Sequence, residues 1–424
     1  MTLTTEETST SLVERLGMLR PLAIRDFALL WTGMTVSLCG DGIFFVAIAW
    51  QVYELSNAPT ALSVVGIAWT LPMVAFLLVG GVVSDRFDRR RVMIVSDLVR
   101  FAAVGSIGGL GVAGELNLPI LLGLVAVYGA GEALFAPAFG AIVPDLVPQQ
   151  LLVQANSIDM FVRTLMSRMA GPALGGLAIG WLGTGGAFLL DASSFAVSAV
   201  CLALITARPA PPRSDGSSAL SEVAEGFRFV RSHTWLWGTL LAAAVSLLAF
   251  YGPWEVLVPY IVKNLLGGSA TDLGIVFAAG GLGAILAAIA MAQRRLPRRH
   301  ITFMYLTWTV SSGAVAIYGV ATELWHAMAA AFVAGAAATA GTVVWMTFMQ
   351  RRVPRHLLGR VTSLDWFVSI GLIPVSYALT GPMAEAVGVR ETMVAAGLIG
   401  AVVTVAFLFL PGMRDSERED PPRG

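Results

Sequence analysis

VPQQLLVQANSIDMFV, residues 147–162, returns 206 residues later as VPRHLLGRVTSLDWFV, residues 353–368. The copies share Val, Pro, Leu, Leu, Ser, Asp, Phe and Val in order, and each closes one apolar run and opens the next. Two unrelated apolar helices match easily, but this match includes polar positions. A Gly-Pro pair follows each copy, at 171–172 and 381–382. The chain therefore reads as two homologous halves.

Composition says what the halves are made of. The 424 residues are 56% hydrophobic and 13% charged, with a mean hydropathy of +0.77; a soluble chain carries about 25% charged residues. Twelve apolar segments are long enough to cross a hydrocarbon core of about 30 Å as helices. They run 27–53, 60–83, 92–112, 118–141, 156–181, 184–206, 236–262, 272–293, 301–320, 325–349, 362–385 and 391–411. The expected fold is an all-α membrane protein of two six-helix bundles, 27–206 and 236–411. A terminal segment 1–26, a linker 207–235 and a tail 412–424 complete it. The linker opens with ARPAPPRSDGSS (207–218) and continues as the amphipathic ALSEVAEGFRFVRS. LVERLGMLR (12–20) reads as a helix on the membrane surface, and no signal-peptide core precedes the first span.

Arginine distribution sets an expected orientation. With both termini in the cytoplasm, 22 of the 27 basic residues fall in cytoplasmic segments and two, Lys263 and Arg390, in outer loops. That asymmetry is the positive-inside pattern. Several function classes drop out. Cys39 and Cys201 lie in apolar runs, and the four histidines are scattered, which leaves no disulfide framework and no metal spacing. Lys263 is the sole lysine and no phosphate-binding Gly-x4-Gly-Lys motif exists, so ATP does not drive this chain. GGLGAIL (280–286) has no strand before it and is not a nucleotide loop. No nucleophile–base constellation marks an enzyme.

Three stretches carry a family resemblance. GGVVSDRFDRRR (80–91) joins spans two and three and contains Gly81, Asp85, Arg86, Arg89 and Arg90, with Asp88 where glycine is usual. GPALGG contributes Gly171, Pro172, Gly175 and Gly176 to span five, and APAFGAIVPDLV precedes it. Over nearly its whole length the sequence resembles the major facilitator superfamily. Within it, the chain is similar to the twelve-span drug:proton antiporters, which include bacterial multidrug and siderophore exporters. The resemblance implies a monomer in a bacterial cytoplasmic membrane, with spans one, four, seven and ten around a central cavity. It implies export of hydrophobic or cationic small molecules, drugs or a siderophore-like metabolite, by proton antiport, without cofactor or nucleic acid. It also implies that Asp85 and the arginines latch helix ends at a gate, and that the Gly-Pro stretch kinks span five. One departure stands out: relatives often carry an arginine in span four, where this chain has Glu132.

Charges deep in the membrane are the candidate site, because each costs about 3 kcal/mol or more to insert. Asp41, Glu132 and Arg168 lie 12 to 14 residues into spans one, four and five, and Glu255 lies in span seven. Tyr128, Tyr251, Trp254, Trp345, Met346 and Met349 would line an apolar, aromatic cavity suited to lipophilic cations. Asp41 has two readings: a carboxylate that exchanges a proton for substrate, or a structural partner of Arg168. Glu132 is the rival proton site. Asn156 and Thr362 read as helix N-caps, Asp159 as a partner of Arg163, Asp97 and Arg100 as headgroup-level charges, and Asp191 as a structural hydrogen-bonding residue. The competing functions are an uncoupled facilitator or importer, and a non-transporting sensor or scaffold.

Overall fold

The computed structural model describes residues 17–206, 219–293, 297–415 and 417. Eleven helices among them are long and apolar enough to cross a membrane. One, Gln154–Leu204, has 51 residues, about twice what a bilayer needs. It is two spans. Gly183 breaks it at φ 72°, ψ 175°, a left-handed backbone that glycine adopts without a Cβ clash. On its two sides the chain packs along the first span in opposite directions. Gly171 and Gly175 meet Gly42 and Ile43, whereas Asp191 and Ser198 meet Gly40 and Gly33.

The spans of the first half are Arg25–Leu55, Pro59–Arg86, Arg89–Ala113, Leu118–Leu146, Leu152–Leu165 continuing through Gly171, and the stretch from 184 to Leu204. Those of the second half are Thr234–Gly252 continuing to Leu265, Ala270–Ala292, His300–Val320, Leu324–Arg352, Arg355–Gly371 continuing through Ile373–Val387, and Val389–Leu408. The repeat explains two corrections. Spans five and eleven start earlier than their polar residues suggest, at Leu152 and Arg355, shortly behind Pro148 and Pro354. Asn156 and Thr362 are therefore interior residues and not caps. Near the N-terminus the described part, Gly17–Ala23, is a tight 3-10 turn, and residues 12–16 lie outside the described residues.

The apolar core is divided in a way that defines the shape. At the end of the bundle that carries Gly17 and Glu417, each half has its own core. Phe27, Met93, Leu146 and Ile158 belong to one, and Leu236, Tyr305, Phe348 and Val361 to the other. At the far end a single core runs through both halves, from Phe44, Val52 and Val65 to Val258, Leu273 and Tyr377. Tyr53 donates its hydroxyl across this seam to the Val256 carbonyl at 2.7 Å, and Thr60 donates to Glu385. The halves are thus sealed at the far end and separately packed at the terminal end.

The helix Ala219–Ser232 docks on the second half. Glu225 pairs with Arg360, and Gly226 lies against the same side chain. Residues 207–218 lie outside the described residues.

Candidate functional site

Span one brings Asp41 to mid-depth between Gly40 and Gly42. Both glycines mark close helix approach. A Cβ at Gly42 would sit 2.7 Å from the Gly171 Cα, and one at Gly40 would collide with Asp191 and Ser194. Spans five and six therefore press on span one beside Asp41, whose side chain stays 26% exposed.

Behind Asp41 lies a dry polar cluster. The Tyr128 hydroxyl donates to Asp41 Oδ1 at 3.1 Å, and Arg100 Nη1 lies 4.0 Å from the same oxygen. Arg100 Nη2 donates to Asp97 Oδ1 at 2.5 Å, with the two side chains 3% and 0% exposed. The Phe135 and Phe195 rings flank the guanidinium, with centroids 4.6 Å and 4.4 Å from its central carbon. Such faces attract a cation and exclude water at once. Asp191 is fully buried against Gly40 and accepts from Ser194 Oγ at 3.3 Å. Glu132 is only partly buried and accepts from Trp69 Nε1 at 2.8 Å.

These contacts correct two expectations. Asp41 has Arg100, not Arg168, as its cationic neighbour. Asp97 and Arg100 are not headgroup-level charges, because their helix begins at Arg89 and makes Arg100 the twelfth of 25 residues. The arginine beside Asp41 comes from span three. An Asp and an Arg three residues apart in an apolar run were the signal for it.

Arg168 belongs to a second charged set. It is exposed in the wide turn Met166–Ala170, while Glu255 is partly buried in a matching turn, Pro253–Leu257. Each charged residue precedes a proline by four positions, Pro172 and Pro259. Proline lacks the N–H that would close the helical bond onto that residue's carbonyl, so the helix widens there. Arg168 lies within electrostatic reach of Glu255 and Tyr251, and Tyr251 is within hydrogen-bonding reach of Glu255. Span five thus carries a positive charge within electrostatic reach of a negative one on span seven.

Trp254 is partly buried at the seam, stacked on Phe250 and Phe45 and edge-on to Phe277. Other expected lining residues sit elsewhere. Tyr128 is 1% exposed and stacked on Phe44 at 4.6 Å, behind Asp41. Trp345 and Met349 are buried in the second half's own core, where Trp345 Nε1 donates to Asp365 at 3.4 Å; Met346 is partly buried beside them. Asp365 is the repeat counterpart of Asp159, which keeps its expected partner Arg163 at 3.3 Å.

The loop between spans two and three holds the first half together. Arg89 pairs with Asp145 at 2.5 Å, and Arg90 donates to the carbonyls of Leu202 and Ala203 at 2.8 Å and 2.6 Å. Asp88 caps the next helix by accepting from the Arg90 N–H at 3.0 Å. The backbones of Gly81, Asp85 and Arg86 belong to the last turns of span two, and their side chains lie outside the described residues.

Comparison with known proteins gives the family. A family model described as transmembrane secretion effector matches residues 16–421. The multidrug efflux pump Tap of Mycolicibacterium fortuitum is 28% identical over 95% of this chain and 98% of its own length. Macrolide efflux protein A of Streptococcus pyogenes is 25% identical over 88% of this chain and 93% of its own length. Among solved structures, an inward-facing bacterial homologue of the iron transporter ferroportin superposes with a TM-score of 0.68 at 16% identity, covering 90% of this chain and 98% of that one. An inward-facing bacterial homologue of the human lysosomal transporter Spinster gives 0.70 at 16% identity, covering 93% and 98%. Those two likenesses concern the fold. With its family model matched almost end to end, the chain belongs to the transmembrane secretion effector family of major facilitator membrane transporters.

Proposed function

We propose that this chain exports lipophilic, cationic small molecules by exchanging them for protons, with Asp41 as the coupling carboxylate. The observation that carries the reading is the surroundings of Asp41. One face of the acid is open, and the other is held by Tyr128 and Arg100 in a dry cluster. A carboxyl so placed can bind a cation from the open side when ionised and lose it when protonated. The names of the relatives support efflux of drugs as the direction and cargo class. Trp69, Tyr251 and Trp254 offer aromatic faces for a cation, and Glu255 a second counter-charge.

With the termini in the cytoplasm of a bacterium, as the arginine distribution favours, the separately packed ends face the cytoplasm. The chain then stands ready to load. Rocking of the halves would open the far end instead. The transporter acts as a monomer, and its partners are substrate, protons and the bilayer.

The test is efflux of ethidium from proteoliposomes under an imposed pH gradient. Transport follows the gradient in the wild type, and Asp41→Asn loses at least tenfold of the gradient-driven rate. Persistence of coupled transport in Asp41→Asn and its loss in Glu132→Gln would move the proton to Glu132. Wild-type transport that ignores the gradient would identify an uncoupled facilitator.

A further inference from the structure

Asp191 is the acid that the coupling scheme leaves unused, and its placement is unusual. It is 0% exposed at mid-depth in span six. Its Oδ1 accepts from Ser194 Oγ at 3.3 Å, and its Oδ2 is buried without any hydrogen-bond partner. No ion pair reaches it among the described residues. Around it stand Cys39 and Asp41 from span one, Arg100 from span three and Tyr128 from span four. Asp97 completes the cluster behind Arg100.

Charge counting then decides what Asp191 must be. Three aspartates surround the one buried guanidinium; Glu132 also acts on it, and Arg163 acts on Asp41 and Glu132 from a partly exposed position. Arg100 is committed to Asp97 at 2.5 Å and lies 4.0 Å from Asp41. A carboxylate ionised in a dry interior without a partner costs far more than taking up a proton. Access is equally one-sided. Asp191 lies against Gly40, the residue beside Asp41, and of the two acids only Asp41 has an exposed face.

We propose that Asp191 is a second proton-binding site, loaded through Asp41 and holding its proton while Asp41 exchanges at its exposed face. The step is a proton transfer from the Asp41 carboxyl to the Asp191 carboxylate, which leaves Asp41 charged and able to take a cation; on release the proton returns from Asp191 to the Asp41 carboxylate and leaves by the exposed face of Asp41. This rests on Asp41 as the coupling acid. It adds that each transport cycle can move two protons, with Asp191 as the store.

The experiment is infrared difference spectroscopy on the purified full-length protein during a pH jump, read at the carboxylic-acid C=O stretch. The wild type should lose two buried acid bands as pH rises. Asp191→Asn should lose one fewer, Asp191→Glu should shift that band and keep it, and Asp41→Asn should slow its disappearance. A companion measurement follows ethidium accumulation in liposomes with the membrane potential clamped at zero. Each coupled proton gives about tenfold accumulation per pH unit, so Asp191→Asn should drop from about hundredfold to about tenfold per unit. An Asp191→Asn spectrum identical to the wild type, or a band for Asp191 that persists at every pH, would overturn the proposal and make this acid a fixed hydrogen-bond donor. Titration of Asp191 without any gradient dependence of wild-type transport would sink the antiport reading and leave the proton site standing.

Discussion

At the scale of single residues, the Arg100–Asp97 pair has the largest stake in stability. Both partners are buried to 3% exposure or less and lie 2.5 Å apart. Removing one leaves an uncompensated charge in a dry interior, at a cost of about 3–5 kcal/mol. Arg100→Gln should therefore unfold in detergent at markedly lower denaturant. Adding Asp97→Asn should recover most of that loss, because the orphaned charge goes with it. A double variant no more stable than the single one would show that the ring sandwich, and not the charge, holds Arg100 in place. The sequence exposes Asp41, Glu132, Arg168 and Glu255 as charges within apolar runs, since each is expensive there. It hides their partners. Which acid meets which base depends on helix start positions and on which spans are neighbours. A start at Arg89 instead of three residues later puts Arg100 at mid-depth and not among the headgroups.

At the scale of elements, two of the three wide turns among the described residues, Met166–Ala170 and Pro253–Leu257, are set by proline; the third, Ile261–Leu265, has none. Pro172 and Pro259 each leave the carbonyl four residues earlier without its helical donor, and those carbonyls belong to Arg168 and Glu255. Pro172→Ala restores the N–H, so span five can close into a regular α-helix. Removing the extra residue of the wide turn rotates the first part of the span by about 100° relative to the second. Arg168 would then swing away from Glu255. The expected outcome is a melting temperature equal to or above the wild type, with ethidium transport at least tenfold slower. Unchanged transport would mean that the orientation of Arg168 is immaterial. Spacing to a proline is legible in a sequence, but that two such sites face each other across the halves is a fact of packing. Gly183 is the opposite case. The break between the fifth and sixth apolar runs was legible at 182–183, because 51 residues cannot cross a bilayer once. The helix starts at Leu152 and Arg355 were not, because polar residues one turn inside the first helix and two turns inside the second imitate caps.

At the scale of the whole molecule, one shared core at the far end against two separate cores at the terminal end predicts how the transporter is locked. Span two meets span eleven at the far end with almost no room between them. A Cβ on Gly381 would lie 2.6 Å from the Thr60 Cα, and Thr60 also bonds to Glu385. Those backbones are nearer than the ~4.4–6.8 Å between the Cα atoms of a disulfide, so a bridge here needs the two helices to part slightly first. Thr60→Cys with Gly381→Cys should cross-link spontaneously in oxidised membranes. With the far end tied shut, a rocking transporter cannot release cargo on that side, so ethidium efflux should stop and return on adding reductant. The cross-linked protein should still bind ethidium from the separated end, since nothing there has been touched. Each single cysteine serves as a control for the tight packing at that seam, and Cys39 and Cys201 lie within the first half, on its first and sixth spans. Efflux that continues through the cross-linked protein would mean that the far-end core does not part during the cycle. The substrate would then have to leave by a path other than the seam between the halves.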